Sequence, residues 1–341
     1  MAYFQTWHRF FPFLHGPSVS KDVELLYAEG DERPQTPLPL ARVVILQCLF
    51  NLASFYSDLE LPHASRIDKS AKVLPHLIGF AAQGDILSIQ ALFAAQLLFV
   101  ARMSLRNAVV VAGLLSRAIF LVGLHRCPVR YREFSEEDCE IRKRLFWSIY
   151  VLDRFLSQAL GHPLGIQDSD VDVCDLTGPE CHRRAVPLRY PSDSMPLGSA
   201  EATTNAADLG PRVSQDHGTS STQTPTQGTS HTRRYDILAF QVEYSRLSGR
   251  ALELFHKSIH IRSIDPRTVL SLRTDLDAWW NSLPSDLQEF NAATEKASCA
   301  EQSQPFSAPA LFNLLHSQLR LLIHRPWLSL EPSTAEFQSA L

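Results

Sequence analysis

Residues 135–173 read SEEDCEIRKRLFWSIYVLDRFLSQALGHPLGIQDSDVDV, and this stretch decides the fold class. Ser135 is an N-cap residue, and Glu136, Glu137 and Asp138 place negative charge where the helix dipole is positive. Ile141, Leu145, Ile149, Leu152 and Leu156 recur at steps of three or four, one face of an α-helix. Gly161 stands where a helix of this length needs a residue with positive φ after its last turn. The spacing therefore predicts a long helix from Ser135 to about Leu160.

The same period recurs on both sides. Leu40–Tyr56 carries Val43, Leu46, Phe50 and Ala53 at helical steps, and Ala64–Phe80 repeats the pattern less clearly. Ile86–Ala101 is apolar on nearly every side, interrupted by Ser88, Gln90 and Gln96, which predicts a helix at the centre of a bundle. Asn107–Leu124 reads as another buried helix ending near Gly123, and the run from Cys127 to Phe134 reads as a loop. Further on, Ile237, Phe240, Tyr244 and Leu247 form one stripe. Thr268–Ser282 is a helix stopped by Pro284, and Pro309–Ile323 one stopped by Pro326.

No run of short alternating strands and no fixed repeat interrupts this pattern. The expected fold is all-α: a multi-helix bundle or layered array, interrupted once. Residues 1–39 form an aromatic opening followed by Gly/Asp/Pro-rich loop punctuation. Residues 40–175 are a first helical part, 236–330 a second, and 331–341 a tail. Between the two parts, residues 176–235 are rich in Ser, Thr, Gly, Pro, Gln and Asn. They hold too little large apolar surface to offset the entropy of ordering, so a disordered insert is expected there.

Composition narrows the function classes. Apolar residues make up 45% of the 341 and charged ones 20%, enough apolar material for a sizeable core. Net charge is −4, from 32 basic and 36 acidic residues, without the basic excess that phosphate contacts require. The chain is thus not expected to contact DNA by itself. A membrane span is not expected either: in the most apolar stretch, Ala108–Leu124, Arg117 is central and would cost about 2.5–3.5 kcal/mol to insert. The opening lacks the basic head and small-residue cleavage site of a secretory signal. The six cysteines, Cys48, Cys127, Cys139, Cys174, Cys181 and Cys299, contain no C-x-x-C pair and read as reduced, mostly buried thiols.

The common catalytic and phosphate-binding motifs are missing from the sequence. Asp168 and Asp170 lie in an acidic turn that reads as a solvated loop or a helix cap. His162, Cys174, Cys181 and His182 are donors within a short span, but their gaps do not match paired zinc spacing, so no metal is assigned to them. Arg142, Lys143 and Arg144 fan over about 200° of helix and read as a solvated face, with Asp138–Arg142 and Glu140–Arg144 at ion-pair spacing. Leu311, Leu314 and Leu315 spell L-x-x-L-L, which on a leucine-rich helix reads as core.

These segments in their order resemble the fungal-specific transcription factor domain, the helical regulatory region that lies downstream of a binuclear zinc cluster in many fungal regulators. The opening Tyr3–Ser18, the helix Ser88–Ala101 and above all Ala112–Val173 carry the resemblance. The last of these holds a G-L-H-R turn, an R-x-x-W-x-x-Y-x-x-D-R helix and a G-x-P-x-x-I-x-x-x-D-x-D-V tail. The carriers are Gly123, Leu124, His125, Arg126, Arg144, Trp147, Tyr150, Asp153, Arg154, Gly161, Pro163, Ile166, Asp170, Asp172 and Val173. Leu272–Gln288 and Leu315–Ser329, with Arg325 and Pro326, are similar to two later family segments.

The resemblance implies a nuclear transcription regulator, not an enzyme, controlling a metabolic or secondary-metabolite pathway. Its implied partners are an intact zinc-cluster regulator or the transcription machinery, with a small-molecule effector as a further candidate. The closely spaced cysteines of a binuclear cluster are not among the six of this sequence. No cofactor is expected in this chain, and zinc would enter only with a cluster encoded upstream of Met1. The motif residues are expected to be structural, with Trp147, Tyr150 and Phe155 supplying core area. Asp153 and Arg154 are expected to anchor buried polar networks, Arg126 being the expected partner of Asp153. A helical small-molecule-binding or protein-interaction module outside transcription is the alternative.

Overall fold

The computed structural model describes residues 2–28, 37–56, 60–177, 180–182, 236–256, 265–289 and 307–326. Within them the chain is α-helical, and its one β-type pairing is the isolated bridge between Arg126 and Asp172. The helices are α1 (Ala2–Gln5), α2 (Trp7–Phe10), α3 (Gly16–Tyr27), α4 (Leu40–Ala53), α5 (Leu74–Gln83), α6 (Ile86–Ala101), α7 (Leu105–Leu121), α8 (Glu136–Leu160), α9 (Asp236–His256), α10 (Pro266–Ser282), α11 (Ser285–Gln288) and α12 (Ala308–His324). No described helix is long and apolar enough to cross a membrane.

Helix α6 is the axis of the first part. Asp85 caps it, accepting from the Ser88 amide at 2.8 Å. From Ala91 to Phe99 every residue is buried, and α4, α5 and α7 pack around it. Its all-round apolar sequence demands this position, because no face of it gains from water. Helix α8 forms as its sequence predicts: Ser135 and Asp138 make a capping box, and Gly161 ends it with φ +68°. Helix α9 packs along α8, and α10 and α12 pack together with α9. One continuous apolar core runs from Tyr3 to Ile323, so residues on either side of the 176–235 insert share an interior. The insert itself lies outside the described residues apart from 176–177 and 180–182.

Several expectations are corrected. The aromatic opening is no mere lead-in: α1–α3 form there, and Tyr3, Phe10, Phe11, Phe13 and Leu14 are core residues. Phe13 sits edge-on to Phe93 of α6 at 4.8 Å. In α4 the expected Leu46 is buried and Phe50 and Ala53 pack partly on the core, but Val43 faces outward and Val44, Ile45, Cys48, Leu49 and Leu52 are buried as well. In a nearly all-apolar helix, periodicity cannot choose the face. Helix α9 also buries Gln241, Ser245 and Ser248, polar residues that an apolar stripe cannot flag. Phe155 is exposed rather than core. In α12, Leu315 is buried, but Leu314 of the L-x-x-L-L run is 63% exposed and Leu321 66%.

Candidate functional site

The motif residues of α8 and the segment after it form a polar clasp set into the core. Successive turns of α8 carry Trp147, Tyr150, Asp153 and Arg154 on one inward side, all of them buried. The chain turns back at Gly161 and lays residues 163–174 alongside. There Asp153 accepts from the amides of Gly165 (3.2 Å) and Ile166 (3.3 Å), and its neighbour Arg154 donates to it at 3.0 Å. Arg154 reaches on to Asp168 at 2.6 Å, and Tyr150 donates to the same carboxylate oxygen at 2.6 Å. The guanidinium also lies over the Tyr150 ring, 3.6 Å from its centroid. Gly165 has to be glycine at this approach, since a Cβ there would stand 2.7 Å from Asp153 Oδ1.

Asp153 is therefore held by Arg154 and two loop amides, and Arg126 plays no part in it: Arg126 is exposed and bridges to Asp172 through its backbone. The two residues share a sequence block but face different surroundings. Asp168 is likewise more than a solvated turn, since two α8 side chains converge on it. Asp170 remains exposed in that turn. Burial raises the Asp153 carboxyl, with Arg154 and the amides opposing the shift. Burial also pushes the Tyr150 phenol up.

Trp147 extends the clasp. Its Nε1 donates to the Cys174 carbonyl at 3.0 Å, and the Arg246 guanidinium of α9 lies 4.9 Å from its ring centroid. Arg246 pairs with Asp175 at 2.6 Å. The clasp thus joins α8, the return segment and α9. The basic cluster at the start of α8 is not a solvated face: Lys143 and Arg144 are 7% and 6% exposed. Lys143 pairs with Glu180, Arg144 lies 4.0 Å from Glu140, and Arg142 stacks on Phe134 at 3.8 Å.

The remaining motif residues serve elsewhere. His125 packs its ring on Phe120 at 4.8 Å, and its carbonyl accepts from the Asp172 amide at 3.0 Å. Asp172 pairs through its carboxylate with Arg130 at 2.9 Å. Gly161, Pro163 and Arg325 line an open cleft of about 380 Å³ with Gln158, His162 and Leu252, and Pro326 follows in the turn after α12. Of the four short-span metal donors, the structure brings Cys174 and His182 together and leaves out His162 and Cys181. It adds Cys127, which no spacing argument reaches, because 47 residues separate it from Cys174. Burial pushes the Cys127 thiol above its ordinary value, and Cys174 modulates it from alongside.

A second polar node also escaped the sequence. Asn51 of α4 donates to Gln47 and Ser65 carbonyls at 2.8 and 2.9 Å and accepts from the Ile67 amide at 3.0 Å and Arg102 at 2.9 Å. A lone Asn in an apolar helix gives no hint of which loop it will tie.

Comparison with known proteins fits this architecture. Residues 1–281 match the fungal specific transcription factor domain. The chain belongs to that family. It is 57% identical over its whole length to half of a probable transcription factor of Fusarium proliferatum. It is 24% identical over 98% of its length to 31% of the transcriptional activator protein acu-15 of Neurospora crassa. An uncharacterized transcriptional regulatory protein of Schizosaccharomyces pombe is 26% identical over 90% of this chain and 31% of its own length. The chain thus spans half or less of the length of these curated relatives. No solved structure matches it.

Proposed function

We propose that this chain is a regulatory domain that controls transcription through protein contacts, in the nucleus, and performs no reaction of its own. Family membership supports the transcriptional role. The fate of the motif residues supports the non-catalytic one. Trp147, Tyr150, Asp153 and Arg154 bring the motif's polar groups together, and most of their polar atoms are spent on one another, on loop backbone groups and on Asp168, Arg154 Nε being the exception. A catalytic carboxylate needs room beside it for a substrate, and the cavity that Asp153 borders is small, about 140 Å³, and walled mainly by apolar and backbone groups such as Val109, Ala112 and Leu156. This group instead fixes the return segment against α8, which sets the shape of the surface that α8, α9 and the loops present to partners such as an intact zinc-cluster regulator.

Fusing the whole chain to an unrelated DNA-binding domain and reading a reporter gene in a fungal host tests this. The expected result is a change of reporter output that Asp153→Ala reduces in step with the folded fraction. Output equal to that of the DNA-binding domain alone, with turnover of a substrate by the purified chain, would overturn it.

One observation favours effector binding as a second reading. The cleft beside Gly161 and Pro163 has apolar walls from Leu164, Leu252 and Leu322, with Gln158, His162, Gln167, Glu253 and Arg325 as polar groups. Apolar walls with a few polar groups of both charges are what a small polar metabolite, such as an amino acid, uses. A thermal-shift screen of small polar metabolites against the chain and its Arg325→Ala variant would detect such binding. A shift that survives in the variant argues against this cleft.

A further inference from the structure

We infer that Cys127, Cys174 and His182 form a zinc site that ties the loop after α7 to the segment after the clasp. Cys127 Sγ and Cys174 Sγ are 3.6 Å apart, and His182 Nδ1 is 3.0 Å from Cys174 Sγ. All three donor atoms lie within 4.8 Å of one another. Two thiolates on one tetrahedral zinc, each at about 2.3 Å, stand about 3.8 Å apart, so the sulfur pair already has the separation an ion imposes. The Cys174–His182 distance has to open by about 0.5 Å to take the same ion.

The surroundings complete the arrangement. His182 turns its other nitrogen, Nε2, to Asp172 Oδ1 at 3.2 Å, and Arg130 holds that carboxylate oxygen from 2.9 Å. A carboxylate behind a ligating imidazole fixes its tautomer, leaving Nδ1 for the metal. The Trp147 indole holds the Cys174 backbone. Glu180 lies just outside the three-donor cluster, its Oε2 3.9 Å from Cys127 Sγ and its other oxygen paired with buried Lys143, so a shift of that carboxylate or a water would supply the fourth ligand of a tetrahedral ion.

Both cysteines are buried and the histidine half-buried, a closed setting suited to a structural ion. Two sulfurs and an imidazole favour zinc over hard cations such as calcium or magnesium. On binding, each thiol releases its proton to solvent and the imidazole is neutral, so the ion enters against two thiolate charges. The site is separate from any binuclear cluster, which is built from closely spaced cysteines. It does not depend on the regulatory reading above.

Metal analysis of the whole chain, purified under reductant with zinc supplied, tests the inference. The expected result is about one zinc per chain, lost in Cys127→Ser and Cys174→Ser and retained in Cys181→Ser and Cys139→Ser. Asp172→Asn should weaken zinc binding about 10–100-fold without touching a ligand. Because a cysteine variant can fail by misfolding, cobalt titration of the unaltered chain gives an independent reading. A thiolate-to-cobalt charge-transfer band, abolished by competing zinc, supports the site. Metal-free protein that gives no such band overturns it, as does zinc that persists in both cysteine variants or a Cys127–Cys174 disulfide that forms in place of metal binding.

Discussion

Helices α6 and α8 both bury long apolar faces at the centre of this molecule, but α8 adds buried charged groups that α6 lacks. Helix α6 buries alanine, leucine and phenylalanine against α4, α5 and α7, with no directional bond needed along Ala91–Ala95. Helix α8 buries Lys143, Arg144, Asp153 and Arg154, and each of the last two needs a particular partner at a particular distance. The difference teaches that the first helix organises the bundle, whereas the second selects one arrangement of the segments packed on it. Apolar burial is non-directional and tolerates repacking. A buried carboxylate tolerates only the donors that compensate its lost hydration.

Removing one side chain from each helix gives the largest effects. Asp153→Ala strands the Arg154 guanidinium and two loop amides and should cost about 3–5 kcal/mol. Phe93→Ala, which opens a hole beside Phe11 and Phe13, should cost about 3–5 kcal/mol as well. The two differ in their couplings. Adding Arg154→Met to Asp153→Ala should give back part of the loss, with a coupling of about 0.5–3 kcal/mol in denaturant titrations. Adding Leu98→Ala to Phe93→Ala should deepen the loss. Strict additivity in the Asp153–Arg154 cycle would erase the contrast between the helices.

The next effect is steric. Gly165→Ala pushes a methyl onto Asp153 Oδ1 and should cost about 1–3 kcal/mol, whereas alanine at Gly113, where a Cβ meets nothing within 4 Å, should be tolerated. Equal stability of the two variants would show that the return segment is not pinned. Smaller again, Tyr150→Phe removes one hydrogen bond to a partly exposed Asp168 and should cost about 1 kcal/mol.

The smallest effect is a slope against pH. Burial lowers the His324 imidazole below its ordinary value of 6.5, with Arg273 and Arg320 adding to the shift. The unfolded chain then binds a proton more readily than the folded one. The contribution of His324 to stability is full above 6.5 and is lost as the pH falls through the lowered folded-state value. Thermal melts from roughly pH 7.5 to 5.5 should show declining stability, less steeply in His324→Gln. An unchanged slope in that variant would assign the acid sensitivity elsewhere.

Local rules carried the sequence a long way. The limits of α6 and α8, the cap at Ser135 and the positive φ at Gly161 were all legible, because they depend on neighbours within a turn. The clasp was legible as a set of residues and not as a set of bonds: Trp147, Tyr150, Asp153 and Arg154 stand out in the pattern, but the sequence pointed to Arg126 as the partner of Asp153. The cluster of Cys127, Cys174 and His182 shows the same limit. The sequence noted Cys174 and His182 as neighbouring donors beside two that do not join them, assigned no metal to the group, and gave no sign that Cys127 lies with them.

By itself, then, the sequence determined an all-α chain, its central helix and its family, since periodicity, capping and motif order are properties of short stretches. Only the tertiary structure decided which face of α4 is buried, that the aromatic opening is core, that Lys143 and Arg144 leave the surface, and which distant residues meet Asp153, Asn51 and Cys174. Those outcomes depend on the shape of neighbouring helices and on which donors the folded chain leaves within about 3 Å of a buried acceptor, and no local pattern encodes that.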